Sequence, residues 1–174
     1  YMDIKKLRPG TWLKLDDHEQ EQEYWSFANL ALGVNPAKEN RTEKELLDDL
    51  DSIIVNAVQS QMYADVPVGA FLSGGVDSSL VVAMMQESSS AKVDTFSIGF
   101  EDKEFNEAPF AKQIACYLGT NHTEHYVTGA EARDVIPSLP LLYDEPFSDS
   151  SQIPTYLVSK IAKKQVTVSL SGDG

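Results

Sequence analysis

A single cysteine, Cys116, in 174 residues has no partner for an intrachain disulfide and excludes a zinc site built on clustered cysteines. The expected location is therefore cytoplasmic. Long apolar runs are missing too. Nothing approaches the ~18 uninterrupted apolar residues of a membrane span, and no basic segment followed by an apolar stretch opens the chain as a signal peptide would. Bases are scarce, 14 Lys+Arg against 27 Asp+Glu for a formal net charge of -13, which argues against nucleic acid held on a positive face. What remains is ordinary: 42% apolar and 24% charged residues can bury a core, and the length suits one domain or one domain with a short appendage.

The acid is concentrated. Between Asp16 and Asp51 stand 11 acidic residues against Lys38, Arg41 and Lys44, so that stretch supplies -8 of the -13. It reads as solvated surface and the polar face of a helix. Ahead of it, Ile4–Leu7 and Trp12–Leu15 predict two short strands around an Arg8-Pro9-Gly10 turn, and residues 16–40 read as a linker. Thr42 and Glu45 have the spacing of a capping box. Behind them Leu46, Leu47, Leu50, Ile53, Ile54, Ala57 and Val58 recur at helical spacing, predicting a helix that ends near Met62.

From Val66 strands and helices alternate. The expected order is strand Val66–Leu72, helix Ser78–Gln86, strand Val93–Phe100, helix Ala108–Leu118 closed by Gly119, and strand His125–Thr128. A helix over Ala130–Tyr143, broken by Pro137 and Pro140, precedes helix Ile153–Lys164 and strand Val166–Leu170. That alternation predicts an α/β fold, a parallel twisted sheet with helices on both faces. Cys116, mid-helix beside Ala115 and Leu118, reads as a small buried residue rather than a nucleophile. His122 and His125 read as surface or strand-end histidines, a metal pair being the alternative.

Ligands of such sheets bind beyond the carboxyl ends of the strands. Val68-Gly69-Ala70-Phe71-Leu72 runs into Ser73-Gly74-Gly75-Val76-Asp77-Ser78-Ser79 and then directly into an apolar helix. Gly74 and Gly75 free the backbone to approach a ligand. With the hydroxyls of Ser73, Ser78 and Ser79 and the positive end of the helix, the turn forms an anion cradle. Asp77 would repel phosphate unless a hard cation such as Mg2+ lay between them. The turn is neither a Gly-Lys-Ser/Thr phosphate loop nor a Gly-x-Gly-x-x-Gly dinucleotide loop.

This turn resembles the PP-loop of the N-type ATP pyrophosphatases, which cleave ATP between its α- and β-phosphates. Thr95–Phe100 with the Asn106–Gly119 helix and Gly119–His122, Tyr143–Ser151, and the terminal Ser169–Gly174 narrow the resemblance to the asparagine synthetase family. Leu7–Gly10 and Tyr24-Trp25 resemble the join between that family's glutaminase and synthetase halves. The resemblance implies an adenine nucleotide alpha hydrolase-like (PP-loop ATPase) fold. Residues 1–40 would be glutaminase tail and linker, and 41–174 the first, truncated part of the ATP-binding synthetase domain. It further implies adenylation of the aspartate side chain by ATP, with Mg2+, followed by attack of glutamine-derived ammonia on β-aspartyl-AMP.

Carried over residue by residue, Ser73, Gly74, Gly75, Asp77 and Ser78 would hold the β- and γ-phosphates, Asp77 also binding Mg2+. The backbone of Leu72 and Ile98 would bracket the adenine, and Ser171 and Gly172 would contact the nucleotide near the α-phosphate and ribose. Asp173 falls where the family carries an acidic residue important for the chemistry, often Glu. Around Glu145–Asp149 the chain departs from the Thr-Thr and Arg of some members, and the aspartate site is left unassigned. Tyr1 stands where the family has its cysteine nucleophile. The chain is thus expected to be a fragment that does not hydrolyse glutamine, binds ATP weakly and makes no asparagine alone, with exposed apolar surface favouring self-association, a homodimer among the outcomes. Two alternatives are another amide-forming synthetase of this fold (β-lactam, macrolactam or sugar-precursor) and a non-catalytic nucleotide-binding module.

Overall fold

The two apolar runs Val66–Leu72 and Val93–Phe100 meet at the centre of a parallel sheet in the computed structural model, which describes residues 4–16, 20–33, 41–101, 106–143 and 148–172. The chain divides into two units, Tyr1–Leu47 and Asp48–Gly174. In the first, β1 (Thr11–Lys14) pairs antiparallel with β2 (Gln20–Glu23) and a short helix α1 (Phe27–Gly33) follows. The turn at Gly10, with φ at 70°, brings its carbonyl to the amides of Tyr24 and Trp25 at 2.9 and 3.2 Å. Two expectations fail here. Residues 4–7 form no strand, and the partner of β1 lies in the stretch read as linker. β2 is wholly polar and exposed, and it is defined by pairing and by the 2.6 Å Arg8–Glu21 ion pair rather than by an apolar face.

α2 (Glu43–Met62) opens on the expected capping box. The Glu45 amide donates to Thr42 Oγ1 at 3.3 Å, and the Glu45 carboxylate accepts from the Thr42 amide at 2.7 Å. In the second unit follow β3 (Val68–Phe71), α3 (Val76–Ser88), β4 (Asp94–Phe100), α4 (Ala108–Leu118) and β5 (Asn121–Val127). The chain closes with α5 (Gly129–Val135), a tight 3-10 turn (Ile136–Ser138), α6 (Leu139–Leu142), α7 (Gln152–Ala162) and β6 (Val168–Leu170). The sheet order is β5-β4-β3-β6, all parallel. Helices cover both faces. Ile54 and Val58 of α2, Val82 and Met85 of α3 and Ala111 and Ala115 of α4 pack on one, Val158 and Ala162 of α7 with Phe96 on the other. The chain leaves β3 for β4 on one side and returns to its other side as β6. β3 is therefore the point where strand order reverses, and its carboxyl end is where such a sheet leaves a crevice.

Other expectations are corrected by packing. β5 begins at Asn121, four residues earlier than expected. Cys116 is exposed, because the buried edge of α4 is the small-residue row Ala108, Ala111 and Ala115. The fold's αL cap falls at Gly119, as expected, with φ at 76°. None of the helices among the described residues is long and apolar enough to cross a membrane.

Thr128 caps α5 through a second box, its Oγ1 accepting from the Glu131 amide at 3.2 Å. Replacing Thr128 with alanine is expected to lower stability by about 1 kcal/mol, read as a shift in urea midpoint at unchanged slope. The Thr128 amide and hydroxyl hold the Glu131 carboxyl below its ordinary range. That contribution is present above the unfolded-state value and is lost as pH falls through the folded one.

Candidate functional site

A cavity of about 400 Å3 opens over the carboxyl end of β3. Its apolar wall is Phe71, Phe96, Ile98, Phe100, Pro154 and Val158, and its polar wall includes Ser73, Gly75, Asp77, Ser78, Ser171 and Gly172. The structure thus brings together eight of the residues singled out from sequence: Leu72, Ser73, Gly75, Asp77, Ser78, Ile98, Ser171 and Gly172. Gly74 is set differently. Its φ is 90°, and a Cβ there would lie 2.9 Å from the Ala111 amide nitrogen, so it lets the loop pass close to α4 instead of facing the cavity. Asp173 lies outside the described residues, as does Glu145.

The serines hold the loop to itself. Ser73 Oγ and Ser78 Oγ are 2.9 Å apart, and the Gly75 amide donates to Ser73 Oγ at 3.2 Å. Ser79, named with them from sequence, turns away and donates to the Gly75 carbonyl at 2.5 Å. What the loop leaves available is backbone. Gly75 is the N-cap of α3 and offers no capping side chain, and the first helical bond is from the Ser79 amide to the Gly75 carbonyl. The amides before Ser79 therefore lack intrahelical partners. Gly172 lies directly over this turn: a Cβ on it would stand 2.5 Å from the Ser78 nitrogen. The two strand-end loops, after β3 and after β6, meet there backbone to backbone.

On the other side, the Leu72 amide is spent on the Phe96 carbonyl at 2.9 Å. In an extended strand alternate peptide groups point the same way. Ile98, two residues beyond Phe96, thus turns its N–H and C=O toward the side where β3 has ended. A flat polar edge could be read there, next to the Phe71, Phe96 and Phe100 rings.

Among the described residues two carboxylates line the cavity, Asp77 and Glu107, and no lysine, arginine or histidine does. Neither has a hydrogen-bond or ion-pair partner among the described residues. Unpaired carboxylates beside a helix start, with no cationic side chain, suit a hard divalent cation. No group of three or more His, Cys, Asp or Glu among the described residues is placed to hold a metal, so further ligands would come from the bound anion. The His122–His125 pair is excluded, because the two side chains leave β5 on opposite faces: His122 meets Thr95 and Ser97, His125 meets Glu131.

Glu107 and Thr155 were not singled out from sequence, and Ser151 only as the end of the Tyr143–Ser151 motif. Glu107 precedes α4, and the other two begin α7. The signal was topological, since every helix following a strand of a parallel sheet starts at the carboxyl edge. Asp149 is occupied locally: its carboxylate accepts from the Ser151 amide at 2.8 Å, which holds its pKa below the ordinary range.

The asparagine synthase family profile matches residues 49–174. A Methanocaldococcus jannaschii protein provisionally named a glutamine-hydrolysing asparagine synthetase is 47% identical over 133 residues, covering 76% of this chain and 26% of that protein. Asparagine synthetase (glutamine-hydrolysing) 1 of Bacillus subtilis is 40% identical, over 98% of this chain and 26% of its own. The chain spans about a quarter of the length of the curated relatives it matches. Among solved structures, an NH3-dependent NAD synthetase of Campylobacter jejuni aligns with a TM-score of 0.48 at 13% identity, over 70% of this chain and 54% of that one.

Proposed function

The chain belongs to the asparagine synthase family, and from that premise we propose that its cavity binds ATP with Mg2+ as the nucleotide half of an aspartate-activating, amide-forming site. The observation that carries the reading is the helix start of α3, free of a capping side chain, with Gly172 seated on it and the unpaired Asp77 beside it. The β- and γ-phosphates would lie on the amides of Val76, Asp77 and Ser78, and the adenine would lie against Phe71 and Ile98. The α-phosphate and ribose would be near Ser171 and Gly172. Asp77 would hold the cation, which when bound would supply positive charge to offset the negative charge of the departing pyrophosphate.

The chemistry follows from leaving groups. Hydroxide cannot be expelled from a carboxylate, whereas AMP can, so the aspartate side chain attacks the α-phosphorus and pyrophosphate departs. Ammonia then displaces AMP from the acyl adenylate. The cavity's contribution is to fix the phosphates in line and to exclude water with its aromatic wall. Asp173 is proposed to act in that chemistry from the loop after β6. Residues 1–40 are proposed as the tail of a glutaminase half with its linker.

Calorimetric titration with ATP tests the nucleotide reading. Binding is expected only with Mg2+ present, and Asp77→Ala is expected to weaken it at least about tenfold, the worth of one charged contact. Equal binding with and without Mg2+, or an unaffected D77A variant, would overturn the assignment of Asp77. No binding at all would overturn the site.

A further inference from the structure

One polar cluster is not used by the reading above. It is enclosed between β4, β5 and α4, where Thr95 is fully buried and Ser97 is 4% exposed. His122, half-buried on β5, has both ring nitrogens engaged: Nδ1 lies 2.9 Å from Thr95 Oγ1 and Nε2 lies 3.1 Å from Ser97 Oγ. Thr95 Oγ1 is also 3.0 Å from Thr120 Oγ1, which donates to the Ala115 carbonyl at 3.4 Å.

One arrangement of protons satisfies every contact of this chain. In it the one Thr120 proton goes to the Ala115 carbonyl, which also accepts from the Gly119 and Thr120 amides at 2.9 and 3.1 Å. The Thr95–Thr120 bond then uses the Thr95 proton. Thr95 can only accept from the ring, so Nδ1 carries the hydrogen. In the neutral ring Nε2 is bare, and Ser97 must donate to it. Four bonds run in one direction from Ser97 to the helix carbonyl. A second ring proton would turn Nε2 into a donor and deprive the buried Ser97 proton of the one partner it has among the described residues.

Ser97 is also in the wall of the cavity and precedes Ile98. Resting on the nucleotide reading, we propose that His122 is a positioning residue for the ATP site: as the neutral Nδ1–H tautomer it holds Ser97 and thereby sets the carboxyl end of β4, where Ile98 presents its peptide edge to the base. His122 itself does not reach the cavity. The charged groups that face the ring are Glu124 of its own strand and Lys112 of α4, paired with each other at 2.9 Å, while β4 offers hydroxyls. Burial lowers the ring's pKa, Glu124 opposing and Lys112 adding to the effect. The neutral form is therefore the one present at neutral pH.

The test is ATP–Mg2+ affinity of the full chain between about pH 7.5 and pH 5, across the range where histidine titrates, with folding checked by circular dichroism. H122Q, whose side-chain oxygen can accept from Ser97, is expected to bind within about threefold of wild type. S97A and H122N, which leave a buried partner unpaired, are expected to lose about tenfold, and the double variant no more than either single one. The terminal phosphate of ATP titrates in the same range, so the diagnostic is an extra loss on acidification in wild type that H122Q lacks. Ring 15N signals of wild type, which need no variant, are expected to show a protonated Nδ1. An Nε2–H ring, a folded S97A binding like wild type, or identical pH profiles for wild type and H122Q would each overturn the proposal alone. Failure of wild type to bind ATP at pH 7.5 would overturn the nucleotide reading and this proposal with it.

Discussion

Gly172→Ala is expected to reduce ATP–Mg2+ affinity by about ten- to a hundredfold, the worth of one lost hydrogen bond to a charged group, while leaving the fold in place. The added Cβ would stand 2.5 Å from the Ser78 nitrogen and 2.9 Å from the Asp77 carbonyl carbon. Both are backbone atoms at the start of α3, and they have little room to yield. The turn is tied by the Ser73–Ser78 hydroxyl contact, and the helix behind it is anchored by Val82 and Met85 in the core. The clash would shift the loop after β6, carrying Ser171 and Gly172 off the phosphate side of the cavity. Stability should change little, since Gly172 is only partly buried and lies just past a three-residue strand. Calorimetry for affinity and a thermal melt for stability separate the two effects. Affinity within about threefold of wild type would show that the close seat of Gly172 is not a condition of binding.

The parts of this site that could be read from sequence are those where one residue type has one physical reason to be present. A buried apolar strand running into Ser-Gly-Gly-Val-Asp-Ser and straight on into an apolar helix specifies a backbone cradle, and Ile98 followed from the strand beside it. The parts that escaped depend on partners distant in sequence. β5 was missed over Asn121–Glu124 because its side chains are polar. They are accommodated by Thr95 and Ser97 for His122 and by Lys112 for Glu124, none of which an alternation of apolar residues can reveal. β2 escaped for the same reason. Glu107 and Thr155 enter the cavity only because α4 and α7 begin at the carboxyl edge of one sheet. Cys116 was misjudged by its neighbours in sequence, although Ala111 and Ala115 already defined the buried edge of its helix.

Phe96→Ala is expected to have the largest effect on stability, about 3–5 kcal/mol against a total that for a domain of this kind is about 5–15 kcal/mol. The side chain is fully buried and is the largest that is among the described residues, and it joins the sheet to Val158, Ala162 and Val166. The strand beside it leaves it room: a Cβ on Gly69 would stand 2.9 Å from the Phe96 ring and 2.7 Å from the Asp94 carbonyl oxygen. The backbone around the ring is held by the ladder of β3 against β4 and by the Leu72 amide on the Phe96 carbonyl. It cannot collapse inward, so the truncation would leave a cavity. That void would open behind the wall of the nucleotide crevice, to which Phe96 belongs, and the backing of the Phe71 and Ile98 surface proposed for the adenine would be lost with the stability. Phe96→Leu keeps most of the volume and should cost less than half as much, at about 1–1.5 kcal/mol. Urea unfolding of the two variants measures the difference, and a Phe96→Ala loss below about 1 kcal/mol would mean that the ring is not the keystone between sheet and α7.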